Sequence, residues 1–493
     1  MSSITRCFYL NHKKINRLKQ LSKDSIIYGL GGILAKSVSF FTLPIYTRIF
    51  STAEYGTIEM LAVISSFIGA ILVMGMDSAQ SMFFFKYKED GKKEQARMVT
   101  AVLQWKLIVG SVIVIIATIF GPILNAILFE GKLGLEYFAI AFVSVLFNQV
   151  FSQSVEVMRL LYKPWKYIVL TIAQSIGAAL LILLFILVYS KGILGFFLGS
   201  ACASMIIAVI GWYQARDYLT LSKLQLDWWP RLVRFGAPLV PAGIAFYFMS
   251  TADRWFVQYY HGPTELGLFA VGAKFSMLMG LVVETFRKAW WPIAMDAMHS
   301  KDGPETFRMI ARLYMGVGSA SVVILTFFSP WLLVWFTDEK FHDAWQIVGI
   351  LSLQAVLYGF FLIVSAGIWK EEKTFINLYC MSGSAVIGIG LNFLLVPPFG
   401  GVGAAIATVI TYVIWVVSTM IISEYFWRVE FPWRLLLVQI TCSLIFVFWH
   451  VSNGSIQNTF WSLCCFILLV FSLLFSSLET ANFRQLKRLL KKQ

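Results

Sequence analysis

The stretch LPIYTRIFSTAEYG, residues 43–56, ends a long apolar segment with a proline, an arginine and a short acidic turn. Pro44 lacks a backbone N–H and therefore bends or ends a helix. Ser51 or Thr52 is suited to begin the next helix as its N-cap, and Glu54 is favourable in a first helical turn. The stretch therefore predicts a tight hairpin between two helices.

The composition around this hairpin is that of an integral membrane protein. Hydrophobic residues make up 58% of the chain and charged residues 13%, whereas soluble domains contain about 25% charged residues. Apolar windows long enough to cross a bilayer as a helix recur about fourteen times along the sequence. The sequence therefore predicts an all-α membrane protein with about fourteen transmembrane helices and no sizeable soluble domain.

A second stretch, YYHGPTELG at residues 259–267, repeats the ending of the first. Aligning AEYG (53–56) with TELG (264–267) gives an offset of 265 − 54 = 211 residues. The second copy is expected to form the same kind of hairpin, with Glu265 in the place of Glu54. Six predicted spans separate the two copies, so both halves enter the membrane in the same direction. The repeat predicts two parallel six-helix lobes, an arrangement found in transporters.

The predicted spans divide the chain into six segments. They are a basic N-terminal segment (1–25), a first six-helix lobe (26–215), a linker (216–235), a second six-helix lobe (236–423), two additional helices (435–478) and a basic tail (479–493). Lys and Arg are concentrated in the loops on one side, and such loops face the cytoplasm. Both termini are therefore expected to be cytoplasmic. The net charge of +14 is accounted for by this bias, because basic loops are attracted to anionic membrane lipid. The charge therefore gives no reason to expect nucleic-acid binding.

Several blocks of the sequence resemble one known family. They are YGLGGILAKSVSFFTLPIYTRIFSTAEYG (28–56), STADRWFV (250–257), ELGLFAVGAKFS (265–276), AWWPIAM (289–295) and PPFGGVGAAIATVITY (397–412). Together they resemble the Wzx-type polysaccharide flippases of the multidrug/oligosaccharidyl-lipid/polysaccharide exporter superfamily. The resemblance implies a MATE-like bundle of two six-helix lobes with two further helices. It also implies transport of a polyprenyl-pyrophosphate-linked oligosaccharide across the cell inner membrane, for O-antigen, capsule or exopolysaccharide.

Ionisable residues inside predicted spans are candidates for function, because each costs about 2.5–3.5 kcal/mol at the bilayer centre. Lys36 and Lys274 are expected near mid-depth, where each lines a substrate cavity or forms a structural ion pair. Arg254 and Arg48 lie nearer the outer end, where each contacts substrate or only extends to the interface. The cations Lys36, Lys274 and Arg254 outnumber the nearby acid Asp253, and this surplus favours an anionic pyrophosphate as ligand.

Two acidic residues suggest ion pairing or coupling to an ion gradient. Asp253 cannot extend to the interface and is predicted to pair with a cation on another helix, with Lys36, Arg48 and Lys274 as the candidates. Asp77 is expected either to cap the inner end of the second span or to couple transport to protons. Lys106 lies near the cytoplasmic end of the third span and is expected to extend its ammonium group to the interface.

The sequence gives no pattern for a metal, cofactor or catalytic site. The six Cys and five His residues are scattered, and the predicted outer loops are too short for the catalytic clusters of a polysaccharide polymerase or glycosyltransferase. A transporter without enzymatic activity or cofactor is therefore expected, with a lipid-linked oligosaccharide as substrate and other polysaccharide-assembly proteins as further candidate partners. A multidrug exporter of the same fold is the main alternative, and the membrane enzyme is less favoured.

Overall fold

The computed structural model describes residues 31–35, 37–87, 89, 91–219, 223–452, 466–467 and 469–470. Within these ranges the chain forms helices joined by turns and contains no β-strand. The predicted all-α class is therefore confirmed.

The helices are numbered in chain order, and α1 covers 31–49 apart from residue 36. The others are α2 Thr52–Val73, α3 Met76–Lys86, α4 Lys92–Ile119, α5 Gly121–Leu128, α6 Leu135–Leu160, α7 Pro164–Leu183, α8 Gly192–Gln214, α9 Trp229–Gly236, α10 Val240–Met298, α11 Gly303–Phe336, α12 Trp345–Val364, α13 Ala366–Lys370, α14 Phe375–Phe426 and α15 Trp433–Ser452.

The two longest helices each contain a break at a glycine. Gly262 in α10 has a φ of 77° and Gly400 in α14 a φ of 55°, values that glycine adopts without the strain of a Cβ atom. Pro263 follows the first break, and Pro397 and Pro398 precede the second. Since proline cannot continue the helical hydrogen-bond pattern, α10 and α14 are each two helices joined by a tight turn.

Ten helical segments among the described residues are long and apolar enough to cross a membrane. Two of them, Leu226–Met298 and Phe375–Phe426, are 73 and 52 residues long, and a single crossing needs about 20 residues. Each of these two segments is long enough for two crossings, and each contains one of the glycine breaks. The chain is a multi-pass membrane protein, and the count of fourteen spans stays a prediction.

The chain is organised as two compact units. Unit 1 comprises the described residues of Met1–Leu43 and Leu61–Gly243, and unit 2 those of Pro44–Met60 and Ile244–Gln493. The segment Pro44–Met60 contains the predicted hairpin and the start of α2 and is termed the first hairpin; it packs with the second half of the chain. The predicted lobe boundaries stay a prediction.

The core of unit 1 gathers around Trp228, which is fully buried. Its ring centroid lies 5.9 Å from that of Phe83 and 5.2 Å from that of Tyr87. The start of α3 lies close to the end of α9 at Gly75 and Gly236. A Cβ atom on either glycine would meet backbone atoms of the other, so the absence of side chains allows this approach. Small residues allow such close backbone contact between membrane helices.

In unit 2, α12 packs against both α11 and α14. Phe361 of α12 stacks on Trp415 of α14 with ring centroids 4.0 Å apart. Gly349 of α12 leaves space for the side chain of Thr326 on α11. Through Thr408, α14 also forms a hydrogen bond to Asp253 of α10.

Candidate site around Arg254

The predicted cationic residues fall in different places. Lys36, expected to line the substrate cavity, lies outside the described residues. Arg48 is exposed near the end of α1. Lys274 and Arg254 both lie on α10, on opposite sides of the break at Gly262. The structure therefore brings together two of the four candidate cations in the part of the chain that it describes.

Arg254 is held by two carboxylates inside unit 2. Its Nε donates a hydrogen bond to Glu59 Oε1 at 3.1 Å, and its Nη1 donates to Asp253 Oδ1 at 3.0 Å. Nη1 also lies 3.3 Å from the carbonyl oxygen of Ser250, one helical turn earlier. Only 17% of the Arg254 side chain is exposed. Hydrogen bonds between ionised groups are stronger than those between neutral groups, so this guanidinium is firmly oriented.

Asp253 is buried and pairs with its own neighbour in sequence. Its Oδ1 accepts from both the backbone N–H and Nη1 of Arg254, at 2.8 and 3.0 Å, and its Oδ2 accepts from Thr408 Oγ1 on α14 at 3.2 Å. Adjacent helical residues point about 100° apart, which is why the sequence predicts a cation on another helix. The arginine side chain is long enough to fold back across this angle. Among the described residues the cationic partner of Asp253 is therefore Arg254, and neither Arg48 nor Lys274 forms an ion pair with it.

Lys274 packs on the first hairpin. Its Nζ lies 5.3 Å from the centroid of the Tyr55 ring, a distance that permits a cation–π interaction. Tyr55 also contacts Phe341 edge to face, with ring centroids 5.7 Å apart. Glu59 follows Tyr55 by one helical turn on α2, so the two side chains lie on the same face of that helix. Lys274 and Arg254 thus both lie beside the segment that carries Glu59.

Glu59 changes the charge balance of the cluster. Arg254 and Lys274 contribute two positive charges, and Glu59 and Asp253 contribute two negative charges, so the described cluster sums to 2 − 2 = 0. The predicted surplus of positive charge also counts Lys36, which lies outside the described residues, so the surplus stays a prediction. Glu59 lies near the outer end of the predicted second span, as Arg254 does in its own span, and an ionisable residue within a span is a candidate for function. The sequence therefore contained a signal for Glu59.

The two sequence repeats contact each other through their glycines. A Cβ atom on Gly56 would meet the carbonyl oxygen of Pro263, and a Cβ atom on Gly267 would meet the carbonyl oxygen of Thr52. The two contacts are related by the repeat offset: Gly267 follows Gly56 by 267 − 56 = 211 residues, and Pro263 follows Thr52 by 263 − 52 = 211 residues. The first turn of α2 and the equivalent turn of α10 therefore pack together symmetrically.

The acidic residues of the two repeats have different roles. Ser51 is the N-cap of α2: its Oγ lies 3.2 Å from the backbone N–H of Glu54, and Glu54 Oε2 accepts from the backbone N–H of Ser51 at 2.9 Å. This reciprocal pattern is a capping box and confirms the predicted hairpin. Glu265 instead accepts from the backbone N–H of Gly401 at 3.0 Å. The expectation that Glu265 repeats the role of Glu54 is wrong, because the break in α14 supplies a free N–H group.

A separate ion pair lies in unit 1. Lys106 Nζ lies 2.8 Å from Asp77 Oδ1 and 3.5 Å from the carbonyl oxygen of Gln149. The Lys106 side chain is completely buried, and 37% of the Asp77 side chain is exposed. The prediction that Lys106 extends to the interface is wrong, because a carboxylate on α3 and a carbonyl on α6 solvate its ammonium group inside the unit.

A cavity of about 300 Å³ adjoins Arg254 within unit 2. Polar and aromatic side chains contribute to its lining, including Ser250, Asp253, Arg254, Ser276, Gln354, Tyr358 and Tyr412. Cavities that combine apolar walls with a few polar groups are suited to bind ligands. Among these lining side chains, Arg254 contributes a positive charge and Asp253 a negative charge.

Two family models match the chain. One, described as "Polysaccharide biosynthesis protein", matches residues 21–298, and a second, described as "MatE", matches residues 238–394. The chain is also similar to "Lsg locus putative protein 1" of Haemophilus influenzae, with 23% identity over 284 residues, which cover 57% of this chain and 67% of that protein.

Two solved structures share the fold. The structure titled "Lipid II flippase MurJ, inward closed conformation" superposes with a TM-score of 0.72 at 16% identity, covering 94% of this chain and 99% of that chain. An inward-facing multidrug resistance MATE family transporter of the MOP superfamily superposes with a TM-score of 0.62 at 16% identity, covering 80% of this chain and 94% of that chain. The predicted MATE-like fold is therefore confirmed.

Proposed function

The chain belongs to the polysaccharide biosynthesis protein family, and on that premise we propose that it flips a polyprenyl-pyrophosphate-linked oligosaccharide from the inner to the outer leaflet of the cell inner membrane. The observation that carries the proposal is the mostly buried guanidinium of Arg254, which lines a cavity and bonds to Glu59 on the segment where Tyr55 contacts Lys274. A flippase for surface polysaccharide needs a site for the anionic part of a lipid-linked sugar, and these side chains provide one.

The chemistry of the cations fits a pyrophosphate. A guanidinium presents several N–H groups in one plane and binds phosphate oxygens with two parallel hydrogen bonds, and an ammonium group binds phosphate as a compact charge. Arg254 and Lys274 are proposed to bind the pyrophosphate in unit 2. Lys36 and Arg48 are proposed to contribute further positive charge along the path of the substrate.

The two ion pairs provide candidate sites for coupling. Asp253 is bonded to Arg254 in unit 2, and Asp77 is bonded to Lys106 in unit 1. Protonation or cation binding at either carboxylate would weaken its ion pair and so shift the balance between conformations. We propose that one of these two sites couples transport to an ion gradient by alternating access, with both chain termini in the cytoplasm.

A multidrug exporter is the second candidate, because the MatE model matches residues 238–394 and MATE transporters share the fold. A cationic drug could bind the carboxylates of Asp253 or Glu59 but could not take their place at Arg254. An anionic substrate could take that place, and the proposed flippase therefore requires a substrate that displaces a carboxylate from Arg254.

Disruption of the gene separates these candidates. A strain without the flippase is expected to lose surface polysaccharide and to accumulate the lipid-linked intermediate, without increased sensitivity to cationic dyes. Dye sensitivity with normal surface polysaccharide would favour the drug exporter instead. Failure to assemble the intermediate at all would favour an enzyme of the same pathway.

A further inference from the structure

Glu59 is a largely buried carboxylate that binds the guanidinium of Arg254. It lies on the first hairpin, Pro44–Met60, and accepts a hydrogen bond from Arg254 Nε at 3.1 Å. Both side chains are largely buried, with 21% of Glu59 and 17% of Arg254 exposed. In the described part of the chain this is the one ion pair between the hairpin and the rest of unit 2.

We propose that Glu59 is an internal competitor of the substrate: its carboxylate binds Arg254 while the site is empty, and the phosphate of the substrate displaces it. The proposal rests on the proposed function, because it requires an anionic substrate. In this proposal Glu59 is a positioning residue: its ion pair with Arg254 holds the hairpin against α10, and displacement of its carboxylate by substrate allows the hairpin to move.

The charge balance supports this exchange. With Glu59 bound, the two carboxylates cancel the charges of Arg254 and Lys274, so the empty cluster carries no net charge. Buried unpaired charges are costly, and an internal carboxylate avoids that cost in the absence of substrate. A pyrophosphate carries more charge and more acceptor oxygens than one carboxylate, so it can replace Glu59 at Arg254. The exchange requires that the released carboxylate of Glu59, already 21% exposed, reaches water as the hairpin moves. The cavity of about 300 Å³ that Arg254 lines gives the incoming phosphate access to the guanidinium.

The position of Glu59 links this exchange to the hairpin. Glu59 follows Gly56 by three residues on α2, so both lie on the same face of the helix. Gly56 packs against the backbone of α10 through the symmetric contact with Pro263. Loss of the Glu59–Arg254 ion pair leaves this contact without ionic support. Substrate binding therefore favours separation of the two repeats, as expected for a ligand that binds one of two conformations more tightly.

The affinity test uses the full-length protein in nanodiscs, with geranylgeranyl pyrophosphate as the probe and geranylgeraniol as its uncharged counterpart. Glu59→Gln removes the competing charge and is expected to bind the pyrophosphate about tenfold more tightly than the wild type, which corresponds to about 1.4 kcal/mol. Glu54→Gln is the matched control, because Glu54 lies on the same hairpin and bonds to Ser51. This control is expected to bind the probe like the wild type.

A distance measurement tests the release of the hairpin in the protein with Glu59 intact. Spin labels are placed at Ile45 on the hairpin and Thr264 on α10, both exposed, with the native cysteines replaced. The pyrophosphate is expected to lengthen the distance between the labels, and the alcohol is not.

Two results would overturn the proposal and leave the proposed function intact. One is a wild-type protein that binds the pyrophosphate with an unchanged label distance. The other is a folded Glu59→Gln variant that binds the probe no more tightly than Glu54→Gln. A wild-type protein that does not distinguish the pyrophosphate from the alcohol would contradict the proposed function itself.

Discussion

Lys106 and Asp77 form an ion pair in which the lysine is completely buried. Lys106→Met would leave Asp77 without its cation, and we expect a loss of about 1–3 kcal/mol in stability. This is less than the roughly 3–5 kcal/mol for breaking a fully buried pair, because 37% of the Asp77 side chain is exposed. The midpoint of thermal unfolding in detergent should fall, and the double variant Lys106→Met/Asp77→Asn should recover most of the loss. A double variant as unstable as the single one would show that the ion pair is not the cause.

Lys36 is the residue for which the sequence makes the sharpest functional prediction. If a fixed positive charge attracts the pyrophosphate, Lys36→Arg should retain much of the surface polysaccharide, Lys36→Ala should lose most of it and Lys36→Glu nearly all. Membrane levels of each variant, measured by immunoblot, should match those of the wild type. A structural ion pair predicts instead that Lys36→Ala lowers the amount of protein. An abundant and fully active Lys36→Ala variant would exclude both roles.

Helix packing at the repeats depends on two glycines. Gly267→Ala would place a methyl group against the carbonyl oxygen of Thr52, so we expect a lower unfolding temperature and reduced transport. Gly280→Ala on the same helix is the matched control for the unfolding temperature, because a Cβ atom there has no neighbour within 4 Å. Alanine is preferred to glycine in a helix interior by roughly 0.5–1 kcal/mol, so Gly280→Ala should be neutral or stabilising. Equal unfolding temperatures for the two variants would contradict the close contact at Gly267.

The sequence predicts the helices and the first hairpin but not which side chains pair between helices. Helices and the first hairpin follow from local properties, namely apolar length, a proline and the capping residues Ser51 and Glu54. The repeat offset of 211 residues, found from four aligned positions, reappears as a contact between backbones. The partners of Glu59, Asp253 and Glu265 could not be predicted, because each depends on which helices pack together and on how a long side chain folds.

For the whole molecule, composition and the recurring apolar windows predict an all-α multi-pass membrane protein, and the helices and fold neighbours agree. The basic-loop bias predicts cytoplasmic termini, and this orientation stays a prediction. The same fold carries both flippases and drug exporters, so fold alone does not assign the substrate. The assignment depends on the charges in unit 2 and on the family. The central claim is therefore that this protein moves a lipid whose head group is an anionic pyrophosphate-linked sugar.

Transfer across liposomes tests this claim most directly. Purified protein is reconstituted with a fluorescent polyprenyl-pyrophosphate-linked oligosaccharide or with a polyprenyl-linked oligosaccharide that lacks the pyrophosphate, and a membrane-impermeant quencher reports the leaflet. The protein should accelerate transfer of the pyrophosphate-linked lipid well above that of protein-free liposomes, and Arg254→Gln should reduce the rate. No acceleration, or equal acceleration of both lipids, would contradict the claim.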